Sequence, residues 1–298
     1  MKGIINVKKP AQFTSHDCVA VMRGILGIKK IGHTGTLDPM ATGVLPICIG
    51  NATRIMEYLE LDSKEYRCTM KLGVVTDTCD IWGKVLEEKD TNHITEEEIK
   101  EAFKVFDGEI EQVPPKYSAL KVNGRKLYEY ARAGEEVEIK SRKVVIKELE
   151  IEKIEGDLIT YRVVCSKGTY IRSICFDVGE ALGCGGTMIA LERLASGIFK
   201  IEDSVPLLEL KEMSREKALE WLLPVDYPLV HFGKIKLNRK QAKDFIDGKH
   251  IEFDKSNIIK STKYKERYKL YFDEVFIGIA DIDSERKLVA DKVFNTEI

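Results

Sequence analysis

The chain lacks most of the motifs that identify a cofactor, a metal site or a membrane anchor. It contains no Gly-Lys-Ser or Gly-Lys-Thr phosphate-binding motif, no GxGxxG dinucleotide motif and no CxxC pair. These absences exclude a P-loop enzyme and leave no dinucleotide or metal motif in the sequence. None of the apolar runs approaches the ~20 residues that a membrane-spanning helix needs, so we expect no association with a membrane.

Cysteine is present, but without the pattern of a disulfide framework or a metal site. The seven cysteines are an odd number, and no histidine stands at a metal-ligand spacing from them. We therefore expect free, mostly buried thiols in a reducing compartment. The apolar patch at residues 4–7 is too short for a signal peptide, which also favours a cytoplasmic protein. A chain of 298 residues, 44% of them hydrophobic, suits about two domains with buried cores.

The net charge of the chain is close to zero, yet its charged residues are unevenly distributed along the sequence. The formal net charge of −2 argues by itself against a nucleic-acid-binding protein. Residues 116–147 hold nine lysines and arginines against four glutamates, and residues 234–269 hold twelve against five acidic residues. Residues 85–112 compensate with ten acidic residues and three lysines. Basic segments of this kind can bind a phosphate backbone, but charge alone does not distinguish that use from ordinary solvated surface.

Apolar periodicity and turn residues predict a succession of helices and strands. Ser15 is predicted to cap a helix that runs to about Leu26, where a glycine stops it. Alternating side chains predict a half-buried strand over residues 65–74. Thr95 and Glu98 form a predicted capping box. Further predicted elements are strands at 144–154 and 158–165, helices at 171–182 and between Asn238 and Gly248, and strands at 269–282 and 288–294.

The most informative segment is GHTGTLDPMATGVLP at residues 32–46. Its three glycines allow close approach of the backbone, and Pro39 keeps Asp38 out of helical geometry. We predict a stiff loop that presents a single carboxylate, which is a favourable place for chemistry. An Asp-Pro pair in a glycine-rich loop is more often a simple turn, so the loop alone does not establish a function.

Extended to residue 54, this segment resembles the signature of a known family. The string GHTGTLDPMATGVLPICIGNATR is similar, with every element in order, to the signature of the bacterial TruB family of tRNA pseudouridine-55 synthases. Other motifs of the family occur along the chain in the family's order. They are matched by Lys8-Lys9-Pro10 with Thr14-Ser15, Lys64-Glu65-Tyr66-Arg67 with Lys71-Leu72-Gly73, Cys165-Ser166-Lys167-Gly168-Thr169-Tyr170-Ile171-Arg172-Ser173, and Arg193 with Gly197 and Phe199.

The resemblance implies a fold and a division into domains. It implies an α/β protein of the α+β type, built on a mixed, mostly antiparallel sheet. Residues 1–225 are then the catalytic domain, in which residues 116–147 form a mobile basic insertion that clamps RNA. A domain junction is predicted at residues 222–226, and residues 226–298 are expected to form a small PUA-like RNA-binding module.

The resemblance also implies an activity. The family isomerises the uridine at position 55, in the TΨC loop of tRNA, by detaching the base from C1′ through N1 and rejoining it through C5. No cofactor and no metal are expected. The base must be flipped out of a folded loop, and water must be kept away from the sugar intermediate. The expected partner is the TΨC arm of tRNA, without a guide RNA, and we expect a monomer.

The same resemblance implies the site. Asp38 matches the catalytic carboxylate, Arg172 the arginine that pairs with it, and Tyr66 the tyrosine that stacks on the target base. Asp38 could add to C1′, add to C6 of the base or take part in deprotonating the sugar, and the sequence does not choose among these. A glycosidase normally places two carboxylates across the bond, whereas this loop offers one. Substrate contacts are predicted at His33, Lys9, Gly32, Thr34, Gly35, Leu37, Tyr170 and Leu194.

Simpler explanations exist for several of these residues. By periodicity alone Tyr66 is a core-facing strand residue, a lone histidine such as His33 is usually structural, and Lys9 is a solvated surface residue. Three other functions also stay open: an RNA chaperone that folds tRNA, alone or beside catalysis; a guide-RNA-dependent relative; and an unrelated fold in which the loop is inert. The presence of both Asp38 and Arg172 favours catalysis, and the lack of basic tails disfavours the guide-RNA-dependent relative.

Overall fold

Two β-sheets organise the molecule. The computed structural model describes residues 1–59, 63–260 and 267–296. In these ranges a ten-stranded sheet forms the main body and a five-stranded sheet follows in the C-terminal part. No helix in them is long and apolar enough to cross a lipid bilayer.

The strands and helices follow one another closely along the chain. The strands of the main body are β1 (Gly3–Lys9), β2 (Ile31–His33), β3 (Thr42–Ile49), β4 (Ser63–Leu72), β5 (Val74–Thr76), β6 (Val85–Glu88), β7 (Gly108–Gln112), β8 (Lys121–Val122), β9 (Arg125–Lys126), β10 (Arg142–Glu155), β11 (Leu158–Ser166), β12 (Gly186–Ser196), β13 (Phe199–Lys200) and β14 (Val205–Pro206). Its helices are α1 (Ser15–Leu26), α2 (Glu96–Lys104), α3 (Leu127–Ala133), α4 (Ile171–Ala181), α5 (Leu207–Glu212) and α6 (Arg215–Leu219). The C-terminal part consists of β15 (Gly233–Lys236), α7 (Arg239–Ile246), β16 (Ile258–Lys260), β17 (Arg267–Phe272), β18 (Val275–Ile282) and β19 (Leu288–Val293). Short 3₁₀ helices occupy Gly50–Tyr58, Ile201–Asp203 and Lys255–Asn257.

The large sheet is mixed and mostly antiparallel, as predicted. Its strands lie in the order β14, β1, β3, β12, β4, β11, β10, β7, with β2 paired to β3 and β13 paired to β12. Among the described pairs of this sheet, β1 with β14 and β3 with β12 are parallel and the others are antiparallel. Thr42 and Gly43, at the start of β3, pair with Glu192 and Arg193 of β12. The loop that precedes β3 therefore lies over the middle of the sheet.

One buried cluster joins this sheet to the helices α2 and α4. Alternate residues of β4 from Tyr66 to Leu72 are buried, and Phe103 of α2 meets Tyr161 of β11 edge-on, with ring centroids 5.0 Å apart. Burial of this apolar surface fixes α4 on the sheet, and the first turn of α4 carries Arg172.

All seven cysteines are free thiols and six of them are buried, which confirms the prediction of free, mostly buried thiols.

The predicted elements are confirmed close to their expected limits, except at three places. The strand predicted at 65–74 ends at Leu72, because Gly73 has a positive φ of +81°, and Val74 begins β5. Ser15 does not cap α1, because Thr14 is the N-cap and forms a capping box with the residue three positions on. Ser15 is instead the first helical residue, and it is buried. The single strand predicted at 269–282 is two strands, because Asp273 and Glu274 both adopt positive φ and form a turn.

The C-terminal sheet packs on the main body through a shared apolar cluster. Its strands lie in the order β16, β15, β17, β18, β19, and Phe245 of α7 is buried against them. Ile279 and Phe294 of this part belong to the same cluster as Ile4 and Val44 of the large sheet. The division of the chain at residue 225 and the PUA-like character of the second part stay predictions.

Candidate active site

Asp38 lies on a loop that is shorter than predicted. Both ends of the segment 32–46 belong to strands, so the loop between β2 and β3 consists of residues 34–41 only. The N–H of Thr34 donates to Pro46 O over 3.1 Å and closes the base of this loop. Short, closed and anchored on two strands, the loop holds Asp38 in one place.

Arg172 holds the Asp38 carboxylate in a two-pronged ion pair. Arg172 Nε lies 3.0 Å from Asp38 Oδ2, and Nη2 donates to Oδ1 over 3.2 Å. The Asp38 side chain is 36% exposed, whereas Arg172 is buried. The pair therefore presents one accessible, oriented carboxylate whose countercharge stays inside the protein.

A second carboxylate, Asp80, shares the same guanidinium, and the sequence reasoning missed it. Asp80 Oδ2 lies 3.3 Å from Arg172 Nη1, and the carbonyls of Thr78 and Tyr117 accept from Arg172 over 3.1 and 3.0 Å. The other oxygen of Asp80 accepts from Thr78 Oγ1 over 2.8 Å and from the N–H of Trp82 over 3.1 Å. An arginine at the start of a helix is electrostatically unfavourable, which indicates a specific partner for Arg172 but does not indicate a second one.

The surroundings of Asp38 oppose its ionisation. Burial raises the pKa of the Asp38 carboxyl above its ordinary value of 3.8, and the charge of Asp80 adds to the rise. The Arg172 guanidinium, and more weakly the Lys9 ammonium, lower the same pKa. Arg172 is therefore the group that favours the reactive, ionised form of Asp38.

Lys9 is buried and binds backbone carbonyls. Its side chain is completely buried, and Nζ donates to the carbonyls of Pro10, Phe13 and Pro39 over 3.0, 2.5 and 3.2 Å. Burial lowers the pKa of Lys9 to about 8. The structure contradicts both the predicted substrate contact and the solvated-surface alternative, because Lys9 ties the end of β1 to the residue that follows Asp38.

Two further buried side chains fix the loop that carries Asp38. Ser15 Oγ accepts from the N–H of Leu37 over 2.8 Å and donates to Leu37 O over 3.3 Å. Arg193 donates from Nε to Val44 O over 2.7 Å and from Nη2 to Gly35 O over 3.2 Å. In the sequence Ser15 is a predicted helix cap and Arg193 is a motif residue without a predicted role. Their hydrogen bonds show that both hold the backbone on either side of Asp38.

Gly43 is required where β3 meets β12. It pairs in register with Arg193 and has a φ of +99°. A Cβ atom at this position would lie 2.2 Å from the Arg193 carbonyl oxygen. Any side chain here would force β3, and the loop before it, away from β12.

A pocket of about 230 Å³ opens beside Asp38. Tyr66 lines it with a buried ring, and burial raises the pKa of the Tyr66 phenol, so the hydroxyl stays protonated. The predicted contacts Leu37 and Tyr170 also line the pocket. Leu194 does not, and Leu191, which lies earlier on β12, occupies the pocket wall in its place.

The remaining predicted contacts lie around the pocket. His33 lines a wider cleft of about 640 Å³, which also includes Asp38. Burial lowers the pKa of His33, and its Nδ1 and the Thr34 hydroxyl have no hydrogen-bond partner among the described residues. Neither Gly32 nor Gly35 lines the pocket or the cleft. The structure thus brings His33 to the site and leaves the two glycines as parts of its backbone support.

The basic insertion at residues 116–147 covers the site. Ser118 lines both the pocket and the cleft, so it lies where the two cavities meet. Lys126 and Arg132 line the cleft, and each lies 5.3 Å from the centroid of the Tyr128 ring. An aromatic ring between two cations suits a ligand that has both flat bases and phosphates.

This arrangement presents a single carboxylate to a molecule in the pocket. Among the described residues that line the pocket, Asp38 is the one acidic residue, since Asp80 lines the cleft instead. The site therefore lacks the pair of carboxylates that a glycosidase places across its bond. In the ranges that the structure describes, no group of three or more metal-binding side chains could hold an ion. The geometry suits reaction of one carboxylate with a ring held against Tyr66.

Solved structures of similar fold include a protein complex and an RNA-bound ribonucleoprotein. A chain in the crystal structure of a Cbf5-Nop10-Gar1 complex is 28% identical, with a TM-score of 0.71 over 98% of this chain and 84% of that one. A chain in the structure of an H/ACA RNP bound to a substrate RNA containing 2′-deoxyuridine is 26% identical, with a TM-score of 0.70 over 98% and 85% of the two chains.

Sequence relatives match the chain over nearly its whole length. The tRNA pseudouridine synthase B of Clostridium tetani (strain Massachusetts / E88) is 43% identical over 285 residues, which are 96% of this chain and 97% of the relative. The protein of the same name from Clostridium perfringens (strain 13 / Type A) is 45% identical over 287 residues, 96% of each. Residues 23–171 match the N-terminal domain of TruB family pseudouridylate synthases, and residues 172–230 match the tRNA pseudouridylate synthase B C-terminal domain. The chain belongs to the TruB family of pseudouridylate synthases.

Proposed function

We propose that the chain isomerises the uridine at position 55 of tRNA, in the TΨC loop, to pseudouridine. Its relatives carry the name tRNA pseudouridine synthase B and match over nearly their full length. The observation that carries the proposal is the Asp38–Arg172 pair at a pocket lined by Tyr66. A reactive carboxylate next to an aromatic ring is what a base flipped out of its stack requires.

The reaction exchanges one bond of the nucleotide for another. The N1–C1′ bond of uridine breaks, the base turns, and C5 bonds to C1′. C5 loses its proton and N1 gains one, so that the atoms of substrate and product balance without a co-reactant. Asp38 supplies the carboxylate by adding to C1′, adding to C6 of the base or deprotonating the sugar, and each of these routes starts from its ionised form.

The neighbouring residues position the reactants. Arg172 favours the ionised form of Asp38 and fixes the direction of both carboxylate oxygens. Tyr66 stacks on the base and, with Leu191, keeps water from the detached base and sugar. Lys9 holds the loop through the Pro39 carbonyl.

The basic segments bind the RNA. The insertion at residues 116–147 clamps the TΨC loop, and the module at residues 226–298 contacts the acceptor-stem side. Flipping the base costs about a few kcal/mol of stacking, and contacts with phosphates offset this cost without reading sequence. The protein acts as a monomer in the cytoplasm and needs neither a cofactor nor a guide RNA.

Incubation of the purified protein with an unmodified tRNA transcript, followed by mapping of pseudouridine, tests the proposal. We expect one pseudouridine, at position 55, with no cofactor or guide RNA added. The isolated TΨC stem-loop should also be modified, because the target uridine and the bases next to it all belong to this loop. Modification at another position, or of neither RNA, contradicts the proposal.

A further inference from the structure

Trp82 is an exposed aromatic residue on a firmly held loop. It lies between β5 and β6 and is 56% exposed. The backbone N–H of Trp82 donates to Asp80 Oδ1 over 3.1 Å, and the backbone N–H of Ile81 donates to Met188 O over 2.9 Å. The loop is thereby fixed to β12 and to the carboxylate that binds Arg172. Single exposed apolar side chains are common on protein surfaces, so exposure alone does not indicate a binding role for Trp82.

That position is the boundary between two cavities. Trp82 lines the catalytic cleft of about 640 Å³, which contains Asp38, and it also lines a groove of about 520 Å³. Met40 lines the same two cavities. An RNA strand that places one base beside Asp38 therefore passes Trp82 when its neighbouring nucleotides leave the cleft for the groove.

The groove suits a flat, uncharged group. Its walls are largely apolar and include Met40, Ile81, Trp82, Ile189, Ala190 and Leu191. Its charged side chains are already neutralised. Arg67 is paired with Glu152 at 2.7 Å, and Glu192 is paired with Lys8 at 3.0 Å. Gln12 lines the groove as well and can meet the polar edge of a base.

We propose that Trp82 stacks on an unpaired base of the RNA substrate that neighbours the target uridine, and that this base occupies the groove. The inference rests on the proposed function, since the ligand is the RNA on which Asp38 acts. Tyr66 receives the target base inside the pocket, and Trp82 receives a second base outside it. Because any base can stack on an indole ring, Trp82 contributes affinity for the opened loop and does not select the base.

Substitution of Trp82 tests the stacking. In Trp82→Ala the Kd for the TΨC stem-loop should rise roughly tenfold, while kcat at saturating RNA stays within about twofold of the unsubstituted protein. The N–H of residue 82 remains in this variant, so the support of Asp80 is kept. Trp82→Phe retains a ring and should recover most of the lost affinity.

The second tryptophan of the chain provides a matched control. The sequence contains two tryptophans, and Trp221 is 43% exposed in a cavity with Glu202, Asp203 and Glu220 that does not include Asp38. Trp221→Ala should leave both Kd and kcat unchanged, because acidic surface repels the RNA backbone.

Fluorescence reports the contact directly. In Trp221→Phe, Trp82 is the one remaining tryptophan, and its emission should change on titration with the stem-loop, with a midpoint equal to the Kd for that RNA. Unchanged emission at saturation overturns the proposal, as does an unchanged Kd in Trp82→Ala. A fall of kcat with unchanged Kd also overturns it, since Trp82 would then act through Asp80. These binding measurements need no turnover, so an inactive protein that binds the stem-loop contradicts the proposed function and leaves the stacking testable.

Discussion

At the residue scale, one buried arginine determines the electrostatics of the site. Arg172 is bonded to both Asp38 and Asp80, and little water reaches it to screen its charge. The family motifs locate Asp38, Arg172 and Tyr66 in the sequence. They do not reveal Asp80, or the burial of Lys9 against a carbonyl 30 residues away, because these contacts exist only once distant segments of the chain have packed together.

Removing the charge of Asp38 separates binding from chemistry. Asp38→Asn should bind tRNA with nearly unchanged Kd, because the amide has the shape of the carboxylate, and should lose isomerisation by roughly 10³-fold or more. Asp157→Asn is the matched control: its side chain is 38% exposed and paired with Lys71, but does not line the pocket. An active Asp38→Asn protein would falsify the assignment of Asp38. If this variant still promotes tRNA folding, a chaperone activity exists beside catalysis.

The pH dependence of the reaction should report the ionisation of Asp38. Burial raises its pKa and Arg172 lowers it, and the carboxylate is the reactive form. As the pH falls through this pKa the ionised fraction falls, so kcat declines on an acidic limb that lies above pH 3.8, the ordinary value. Arg172→Gln removes the positive charge that lowers the pKa of Asp38 and should move the limb to higher pH. Arg172→Lys keeps a positive charge and should move it less. A limb that does not respond to either variant, measured from single-turnover rates across pH, is evidence against Asp38 as its origin.

At the scale of elements, the first turn of α1 positions the catalytic loop. Thr14 caps the helix, and Ser15 bonds both backbone groups of Leu37, the residue before Asp38. Either hydroxyl can cap a helix, and the sequence-based prediction places the cap one residue too late, at Ser15. The structure assigns them different tasks because only one position faces the interior.

The two hydroxyls should therefore separate stability from catalysis. Thr14→Ala should lower the free energy of unfolding by about 1 kcal/mol, the usual cost of a lost N-cap, with kcat at saturating RNA unchanged. Ser15→Ala frees Leu37 and should lower kcat by roughly tenfold or more, since small displacements of a reacting group are costly. Urea unfolding and single-turnover rates measure the two effects. If instead Ser15→Ala lowered the stability and Thr14→Ala lowered kcat, Ser15 would be the helix cap.

The junction of β3 with β12 should tolerate no side chain at Gly43. Gly43→Ala combines a positive φ with a Cβ 2.2 Å from a carbonyl oxygen, so the loss of stability should exceed the ~1–3 kcal/mol of the backbone strain alone. Gly108→Ala is the control, because Gly108 also has positive φ (+77°) but nothing lies within 4 Å of its Cβ position. Equal losses in the two variants, measured by chemical unfolding, would contradict the steric role of the junction.

At the scale of the whole molecule, the order of the strands exceeds what periodicity can reveal. Periodicity identifies β4, β10 and β11, because more and less buried side chains largely alternate along each of them. It does not reveal that β12 lies between β3 and β4, since that order depends on pairing Gly43 with a residue 150 positions later. The mixed sheet is predicted from the resemblance to a family, and its individual strands are predicted from local sequence. The pairing of the strands is decided by burial of the common core.

The uneven distribution of charge also belongs to the whole molecule. With a net charge of −2, the chain as a whole does not attract RNA, yet Lys126 and Arg132 line the cleft and no ion pair engages them among the described residues. On α2, by contrast, Lys100 is paired with Glu96 at 3.1 Å and Lys104 with Glu101. Unpaired cations at the cleft can neutralise phosphates, whereas the paired lysines of α2 cannot do so without losing their partners.

The salt dependence of tRNA binding should show which of these cations contact phosphate. Each phosphate contact contributes about 0.7–0.9 to the slope of log Kd against log salt concentration. Replacing Lys126 and Arg132 by glutamine should therefore weaken binding and reduce the slope by roughly 1.5, with kcat at saturating RNA unchanged because neither residue lines the pocket. Replacing Lys100 and Lys104 by glutamine changes the net charge equally, and should leave the slope as it was. If both pairs reduce the slope alike, attraction is set by net charge. A smaller slope in the first pair alone means that the insertion contacts the RNA backbone at the cleft.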